Sequence, residues 1–486
     1  MKRFLAFSLT VVLLLSLCAC SGSDTDAGAN ASVQTTVPTQ VTEAEEAGLN
    51  VGFGRQNITP DYTVHLQGGD WKNRISTGTQ DFLYITCIAI QEGEETVLLY
   101  TVDMKVATDP IVDGVKAAIS SATGIPQNNV LINATHTHSG VAIRYTWDGV
   151  DKYKVEFSNA AVAAAQQAIA DLAPAEVYAD STQATGMAHV RHYLMNDGTV
   201  SGSNFGDTSS GYKEHIKEAD NELQIVKFDR GADKKPVVLT SFPSHCTFNE
   251  NGTMLSADYP GPYRAYVEEQ IGCYMAFFQG ASGDQTPGSR IAGVKFTDDY
   301  KEYGKELGRY TVEALPTLTK VDGTGVSVAS KTFTAPTNMK NMDKLVGAQK
   351  AKSAAEQYGN NSEELKAILK EYNLASRHEA NWLVLRANAG PTQTMELKVM
   401  SVGDLSFVLA PYEMFGDQGK AIKEQSPYEN TFIITLGEGS FNYIASNEAF
   451  DYDSYESQCC YFEQGTAEKL VDEFVGMLTE MKTPAA

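Results

Sequence analysis

The sequence is poor in positive charge. Lys and Arg together number 38 of its 486 residues, against 61 Asp and Glu, so the formal net charge is −23. Binding to nucleic acid depends on cationic surface that neutralises phosphates, so we expect no nucleic-acid partner for a chain this acidic. The chain also offers no basic patch that would attract anionic lipid. No protein partner is implied.

Cysteine is scarce, with seven in the chain. Two of them, Cys18 and Cys20, belong to an N-terminal segment considered below. The other five are an odd number, and their spacing fits neither a disulfide framework nor a zinc knuckle. These five are Cys87, Cys246, Cys273, Cys459 and Cys460. We predict that the adjacent pair at 459 and 460 are small buried or edge residues and have no redox role.

Two common hydrolase motifs are missing. The sequence has no Gly-x-Ser-x-Gly segment, which carries the nucleophile of many serine hydrolases. It has no His-Glu-x-x-His segment either, because His378-Glu379 is not followed by a second histidine at the required position. A serine hydrolase and a zincin protease are therefore not expected.

Long apolar runs are rare, and the clearest one lies at the N-terminus. Residues 4–17 are apolar, follow Lys2 and Arg3, and are too few to span a membrane comfortably. The run ends in Leu17-Cys18-Ala19-Cys20-Ser21, which resembles a bacterial lipobox. We predict a lipoprotein signal peptide at 1–19 and lipidation of Cys20, which would anchor an extracytoplasmic protein to the bacterial cell membrane. An ordinary secretory signal is the alternative.

The chain then divides into a linker and one globular region. Residues 20–48 contain no aromatic side chain and are rich in Ser, Thr, Ala, Asp and Glu. Such a segment cannot bury enough apolar surface to order itself, so we predict a disordered tether. No second linker of this kind follows, and residues 49–486 are predicted to form a single domain.

Within this domain, segments with strand and helix periodicity alternate. Hairpins are predicted at 82–90 with 96–102 and at 395–402 with 405–409, and strong helices at 109–123 and 151–172. Helix-forming sequence at 342–376 predicts a helical pair. The alternation predicts an α/β fold of mixed β-sheets flanked by helices.

The most informative segment is Ala134-Thr135-His136-Thr137-His138-Ser139-Gly140, which closes a buried strand at 130–133. Side chains two residues apart on a strand share one face, so His136 and His138 are predicted to point the same way. Converging imidazoles indicate a metal site, with zinc as the first choice for a redox-silent His/Glu site. Two histidines bonded to nearby backbone are the alternative.

Other polar residues also follow predicted strands, among them His245, Glu413 and Tyr443. Ligands of α/β proteins collect at the carboxyl ends of strands, so these distant segments are predicted to meet at one cleft.

Seven motifs follow one another in the domain, at 51–60, 101–104, 136–140, 243–245 with 256–261, 283–287, 411–414, and 443–446 with 454–456. In this order they resemble the catalytic domain of the neutral, non-lysosomal ceramidases, over nearly the whole globular region. The resemblance implies that family's fold and a zinc-dependent amidohydrolase. The predicted reaction is cleavage of the N-acyl amide bond of ceramide, or of a related N-acyl lipid, by a metal-activated water.

The resemblance also implies which residues hold the zinc ion. The ligands would be His136, His245, Glu413 and Tyr443, and His138 becomes a catalytic residue that faces the substrate. Each ligand has a structural alternative: His245 as the cap of a turn, Glu413 as a carboxylate at a helix N-terminus, and Tyr443 as a core residue.

Three further catalytic residues are implied, namely Arg191, Tyr455 and Thr286. Thr286 stands where the family carries serine, so its hydroxyl remains available with an added methyl group. The family's Pro-Gly-Gly after the histidine motif is replaced by Val141-Ala142-Ile143. The reaction type therefore transfers to this chain more directly than the substrate. A zinc hydrolase of another N-acyl or ester substrate, or a non-catalytic solute-binding lipoprotein, are the alternatives.

Overall fold

The computed structural model describes residues 48–68, 74–107, 109–202 and 210–483. The predicted signal peptide and the lipidation site Cys20 lie outside these residues, as does the predicted tether apart from residue 48. In the described ranges, no helix has the length and apolar character needed to cross a membrane.

The elements alternate along the chain as the sequence predicts. The strands are β1 (Asn50–Asn57), β2 (Gly78–Thr79), β3 (Tyr84–Glu92), β4 (Glu95–Val102), β5 (Val130–Ala134), β6 (Ala173–Pro174), β7 (Glu176–Gln183), β8 (His189–Val190), β9 (His192–Met195), β10 (Val200–Gly202), β11 (Tyr212–His215), β12 (Glu222–Asp229), β13 (Val237–Phe242), β14 (Met254–Leu255), β15 (Tyr274–Gln279), β16 (Gln285–Thr286), β17 (Thr319–Lys320), β18 (Val326–Pro336), β19 (Thr392–Val402), β20 (Leu405–Ala410), β21 (Glu413–Met414), β22 (Asn430–Thr435) and β23 (Tyr443–Ile444). The helices are α1 (Asp109–Thr123), α2 (Val150–Ala170), α3 (Pro260–Ile271), α4 (Tyr300–Ala314), α5 (Leu345–Tyr358), α6 (Glu363–Glu371), α7 (Arg377–Ala387), α8 (Gly416–Gln425), α9 (Asn447–Asp451), α10 (Tyr455–Cys459) and α11 (Thr466–Lys482).

Three larger sheets organise the domain. Their strand orders are β5-β4-β3-β1-β6, β15-β13-β12-β7-β17 and β18-β19-β20-β22. Each sheet contains one parallel pair at one edge (β4 with β5, β13 with β15, β20 with β22), and its other pairs are antiparallel. This arrangement confirms the predicted α/β fold with mixed sheets.

The three sheets share one core and carry helices on their other faces. In β3, Ile88 and Ile90 point into the shared core, while Cys87 and Ala89 face the helix layer that contains α1 and α2. The same alternation packs the second sheet against α3 and α4 and the third against α8 and α11. The helices α5, α6 and α7 have a small core of their own.

Most of the predicted elements are present at nearly the predicted bounds. The β3–β4 hairpin closes with Glu92 opposite Glu95, and α1 has the predicted limits. The segment 342–376 contains the predicted helical pair, α5 and α6, which follow a short 3₁₀ turn at 342–344. The long strand β18 was not predicted, since half-exposed Ser, Thr and Lys residues give it no apolar run.

The five described cysteines are buried and free, which agrees with the prediction that they form no disulfides.

Candidate metal centre

The predicted site residues follow the parallel strand pairs of the three sheets. His136 and His138 come after β5, His245 after β13, and Glu413 after β20. The short strand β21 then places Glu413 directly opposite Tyr443 of β23. Four segments from distant parts of the chain therefore meet at the carboxyl ends of the strands, as α/β architecture favours.

The two histidines of the 136–140 motif converge, but strand alternation is not the reason. Strand β5 ends at Ala134, and His136 adopts a left-handed backbone with φ 66°. Its amide donates to the carbonyl oxygen of Met104 at 2.9 Å, and the amide of His138 donates to that of Cys246 at 3.1 Å. A turn held from two sides, and not the pleat of a strand, aims both rings at one point.

His245 completes a buried group of three imidazoles. The ligand atoms of His136, His138 and His245 all lie within 4.8 Å of one another, and all three side chains are buried. The Nε2 atoms of His136 and His138 are 3.4 Å apart.

Each ring is oriented by an acceptor on its outer side. The Nδ1 of His136 lies 2.8 Å from the carbonyl oxygen of Lys105, and that of His245 lies 2.7 Å from the carbonyl oxygen of Ser282. The Nδ1 of His138 lies 3.1 Å from the Glu250 carboxylate. These acceptors place the proton on Nδ1, so each neutral ring presents the lone pair of Nε2 to the interior, which is how metal-binding histidines are commonly held.

Glu413 adds a carboxylate to the same point. Its Oε2 lies 3.1 Å from Nε2 of His245 and 3.4 Å from Nε2 of His136. Burial alone would raise the pKa of Glu413, but the proximity of His136 and His245 outweighs it and holds that pKa well below its usual range. The carboxylate therefore contacts the imidazoles rather than the amides at the start of α8.

This arrangement fits a bound cation. Burial, followed by the charge of Arg191, lowers the pKa of His245 to about 4, so the ring is neutral near pH 7. When a neutral ring carries its proton on Nδ1, the lone pair of its Nε2 faces a lone pair of the Glu413 carboxylate. This contact is repulsive unless a cation lies between the two atoms. Donor atoms around a tetrahedral zinc ion with bonds of about 2.0–2.1 Å lie about 3.3 Å from one another. The distances from Oε2 of Glu413 to Nε2 of His245, 3.1 Å, and to Nε2 of His136, 3.4 Å, match that geometry.

Tyr443 lies beside the group and is supported from behind by a cation. Its ring centroid is 6.4 Å from that of His245, and the guanidinium of Arg191 stands 5.2 Å from its ring. Burial and then the charge of Glu413 raise the pKa of Tyr443 well above its usual range, while Arg191 opposes this rise. Arg191 thus stabilises negative charge on the phenol oxygen of Tyr443.

A chain of buried polar groups fixes Arg191. Its Nε donates to Oε1 of Glu456 at 2.8 Å, and its Nη2 donates to the carbonyl oxygen of Gly283 at 2.8 Å. The other oxygen of Glu456 accepts from Nε2 of His192 at 2.8 Å, and the hydroxyl of Tyr452 donates to Nδ1 of that ring. His192 and Arg191 lower the pKa of Glu456 against the effect of its burial, so this carboxylate is ionised.

A cavity of about 1180 Å³ opens above the site. Glu413, Tyr443 and Tyr455 line it, together with residues of α6 and α7. The rings of Tyr455 and Tyr443 lie 5.8 Å apart. Burial raises the pKa of Tyr455 well above its usual range, so its phenol keeps its proton. The cavity gives a substrate access to the carboxylate and to both tyrosines.

Thr286 and Arg191 are placed differently from the other predicted residues. In the described part of the chain, neither is among the residues that line the cavity. Thr286 lies in β16, opposite His189 of β8, and its hydroxyl accepts from the amide of Gly288 at 3.5 Å. Its neighbour Gln285 supplies a second carbonyl oxygen, 2.9 Å from Nδ1 of His245.

Three residues that orient the site were not singled out in the sequence analysis. Glu250 holds His138, the carbonyl group of Lys105 holds His136, and Glu456 holds Arg191. No spacing rule connects the first two to the histidines, because the turns that bring them together are tertiary. Glu456 alone had a signal, as the neighbour of Tyr455 within one of the seven motifs.

The fold and the site together define an α/β protein with a buried group of histidines, able to bind a metal ion, beneath a large cavity. The family model described as neutral/alkaline non-lysosomal ceramidase, N-terminal, matches residues 49–374. The chain therefore belongs to the neutral/alkaline non-lysosomal ceramidase family. Membership implies a hydrolase that acts on an amide bond.

Solved structures agree with this assignment at the level of the fold. A structure titled "Ceramidase complexed with C2" matches with a TM-score of 0.66 and 16% identity, covering 90% of this chain and 75% of that one. Neutral ceramidase from Pseudomonas aeruginosa matches with a TM-score of 0.64 and 15% identity, covering 91% of this chain and 76% of that one. No curated protein sequence matches the chain.

Proposed function

We propose that this protein is a zinc-dependent amidohydrolase that cleaves the N-acyl amide bond of ceramide or of a related N-acyl lipid. One observation carries the proposal. The Nε2 atoms of three buried histidines converge, and the Glu413 carboxylate, below an open cavity, contacts two of them. Membership of the ceramidase family supports the reaction class.

His136, His245, Glu413 and Tyr443 are the proposed zinc ligands. Their donors are two neutral imidazoles, one ionised carboxylate and a phenol oxygen that Arg191 helps to make anionic. Nitrogen and oxygen donors of this kind suit zinc. When bound, zinc would lower the pKa of a water molecule toward about 7 and polarise the amide carbonyl.

His138 is the proposed proton carrier. Its Nδ1 is bonded to Glu250, so Nε2 can accept a proton from the attacking water and pass it to the leaving amine. The carboxylate of Glu250 would stabilise the imidazolium formed in between. Oε2 of Glu413, in contrast, contacts the rings of His136 and His245.

The remaining predicted residues have supporting roles in this proposal. Tyr455 reaches the cavity with its proton retained and would donate a hydrogen bond to the oxyanion of the substrate. Arg191 acts through the ring of Tyr443, behind which it stands. Thr286 acts through the turn at Gln285, whose carbonyl oxygen contacts His245.

We also propose that Cys20 is lipidated and holds the domain on the outer side of the bacterial cell membrane. The lipobox-like sequence Leu17-Cys18-Ala19-Cys20 supports this. Cys20→Ala is expected to abolish incorporation of labelled fatty acid and to release the protein from the membrane fraction. Retention of both properties would overturn the assignment.

The function is tested by measuring zinc content and hydrolysis of a fluorogenic N-acyl amide. His136→Ala and His245→Ala are expected to lose the metal and at least about a hundredfold in rate. His215→Gln is the matched control, because its ring contacts Val190 and Ser289 and has no place in the site. Full activity in both alanine variants would exclude the proposed mechanism, and metal retention without any hydrolysis would favour a binding protein.

A further inference from the structure

The cavity above the site carries a charge opposite to that of the chain. Its charged lining residues in the described part of the chain are Lys105, Arg144, Lys366 and Arg377, with Glu413 as the carboxylate. Acidic residues outnumber basic ones by 61 to 38 in the sequence, so a cavity with four cations and one carboxylate is a marked departure. A neutral lipid substrate offers no partner for this charge.

Three of these cations have no carboxylate partner. Lys366 is paired with Glu363 at 2.7 Å. Lys105, Arg144 and Arg377, in contrast, form no ion pair within 4.0 Å with any residue that the structure describes. Cations on a concave, partly desolvated wall are more stable when an anion reaches them.

Two of the unpaired cations lie close to the metal centre. The carbonyl group of Lys105 holds His136, and the charge of its side chain acts on Glu413 and Glu250. Arg144 repels Lys105 and also acts on Tyr461, another residue of the cavity wall. Lys105 and Arg144 therefore form one cationic wall beside the position where an amide bond would be cleaved.

The two nearby carboxylates act on the charge of Lys105 but form no ion pair with it within 4.0 Å. Glu413 is engaged with the site histidines, and Glu250 accepts from His138. Arg144 is largely exposed to the cavity and its surroundings, with its guanidinium 5.5 Å from the ring of Tyr145.

Part of the cavity lining is apolar. Leu365 and Leu369 of α6 contribute to it, together with Trp382 and Leu385 of α7. This surface suits an acyl chain, while the cationic wall suits a polar anionic group. A cavity with two such regions selects molecules that combine both.

We propose that the wall formed by Lys105 and Arg144 binds an anionic group, a carboxylate or a phosphate, on the amine side of an N-acyl substrate. The inference rests on the proposed amidohydrolase function and narrows its substrate class. A neutral substrate would leave both cations without an anionic partner in the complex, whereas an anionic group would form charge-assisted hydrogen bonds with them.

The test compares three amides with the same acyl chain. N-dodecanoyl-glycine carries a carboxylate, N-dodecanoyl-phosphoethanolamine carries a phosphate, and N-dodecanoyl-ethanolamine is neutral. For the zinc-loaded protein, kcat/KM is expected to be about tenfold to a hundredfold higher for at least one anionic amide than for the neutral amide. The better of the two anionic amides identifies the source of the negative charge.

The variants are compared by one ratio, kcat/KM for the anionic amide divided by kcat/KM for the neutral amide. Lys105→Met and Arg144→Met are each expected to bring this ratio close to one. Lys352→Met is the control, because Lys352 is paired with Glu356 on α5 and is not a lining residue, so the ratio should stay at its original value. Zinc content is measured in each variant, since the backbone of Lys105 holds His136.

Binding measurements on zinc-depleted protein separate the proposed anion site from the proposed amidohydrolase function. Calorimetry should show tighter binding of the anionic amides, with the preference lost in Lys105→Met and Arg144→Met. If this preference is found but no amide is hydrolysed by the zinc-loaded protein, the proposed function fails and the anion site stands. If the neutral amide binds and reacts at least as well as both anionic amides, the anion site is overturned and the amidohydrolase stands.

Discussion

The carboxylate of Glu438 accepts a hydrogen bond from the backbone amide of Ile132 at 2.6 Å. Its other oxygen forms a buried ion pair with Lys116. This contact connects β5, which leads to His136, with the loop that leads to Tyr443. The loop has left-handed backbone at Leu436 (φ 55°), Glu438 (φ 72°) and Asn442 (φ 55°), a conformation that surrounding contacts must hold. One carboxylate therefore helps to fix the relative position of two proposed zinc ligands.

Removing that charge should weaken both the fold and the metal site. Glu438→Gln leaves Lys116 buried without its partner, so the free energy of unfolding in urea is expected to fall by about 3 kcal/mol. Zinc should dissociate faster from the folded variant, because the loop that carries Tyr443 is less constrained. Glu364→Gln, a change at an exposed position on α6, is the control. A variant with unchanged stability and zinc retention would show that the contact has no such role.

Replacement by phenylalanine should have different effects at Tyr443 and at Tyr455. Tyr443→Phe removes a proposed zinc ligand, so zinc affinity is expected to fall together with activity. Tyr455→Phe removes a hydrogen-bond donor to the oxyanion, so kcat is expected to fall by about a hundredfold to a thousandfold with zinc content unchanged. Equilibrium zinc titration and steady-state kinetics on both variants check this. Equal zinc loss in both, or in neither, would contradict the assignment of roles.

A substitution at Glu250 tests whether His138 carries a proton or binds the metal. Glu250→Gln keeps an oxygen acceptor near Nδ1 of His138 but removes the negative charge. If His138 carries the proton, kcat should fall by about tenfold to a hundredfold while zinc affinity is preserved. A fall in zinc affinity of that size, with kcat of the zinc-saturated variant preserved, would instead make His138 a ligand.

Asp258 should make the stability of the protein depend on pH. It is fully buried, and burial raises its pKa to about 7, although amides of Tyr259 and Asn249 donate to it. The folded state thus holds this proton more tightly than the unfolded chain, whose carboxyl titrates near pH 4. The free energy of unfolding is expected to fall by up to about 4 kcal/mol as the pH rises from about 4 to about 7, because the protonated form is the stable one.

Asp258→Asn is the variant that measures this contribution. Asparagine tolerates the left-handed backbone at this position, where φ is 57°. Denaturant unfolding of both proteins between pH 4.5 and about 8 gives the difference, and the variant should lack this part of the slope. Parallel stability curves for the two proteins would mean that Asp258 is already ionised at low pH.

The sequence predicted elements whose pattern is local. The β3–β4 hairpin follows from apolar runs on either side of Gly93-Glu94, and α1 follows from helical periodicity between its limits. Strand β18 could not be predicted in the same way, because its exposed Ser, Thr and Lys residues become a strand only by pairing with β19. The error about His136 has a similar cause: its left-handed conformation depends on the Met104 carbonyl, which lies far from it in the sequence.

The sequence by itself determined the class of the protein. Short motifs such as His136-Thr137-His138-Ser139-Gly140 can be recognised without knowing how far apart they lie in the folded chain. Only the tertiary structure decided that these motifs meet. His245 and Glu413 are 168 residues apart in the chain, yet their side chains lie 3.1 Å apart. The cationic wall of Lys105 and Arg144 was equally invisible, because charge in a cavity depends on which side chains face one another and not on their order in the chain.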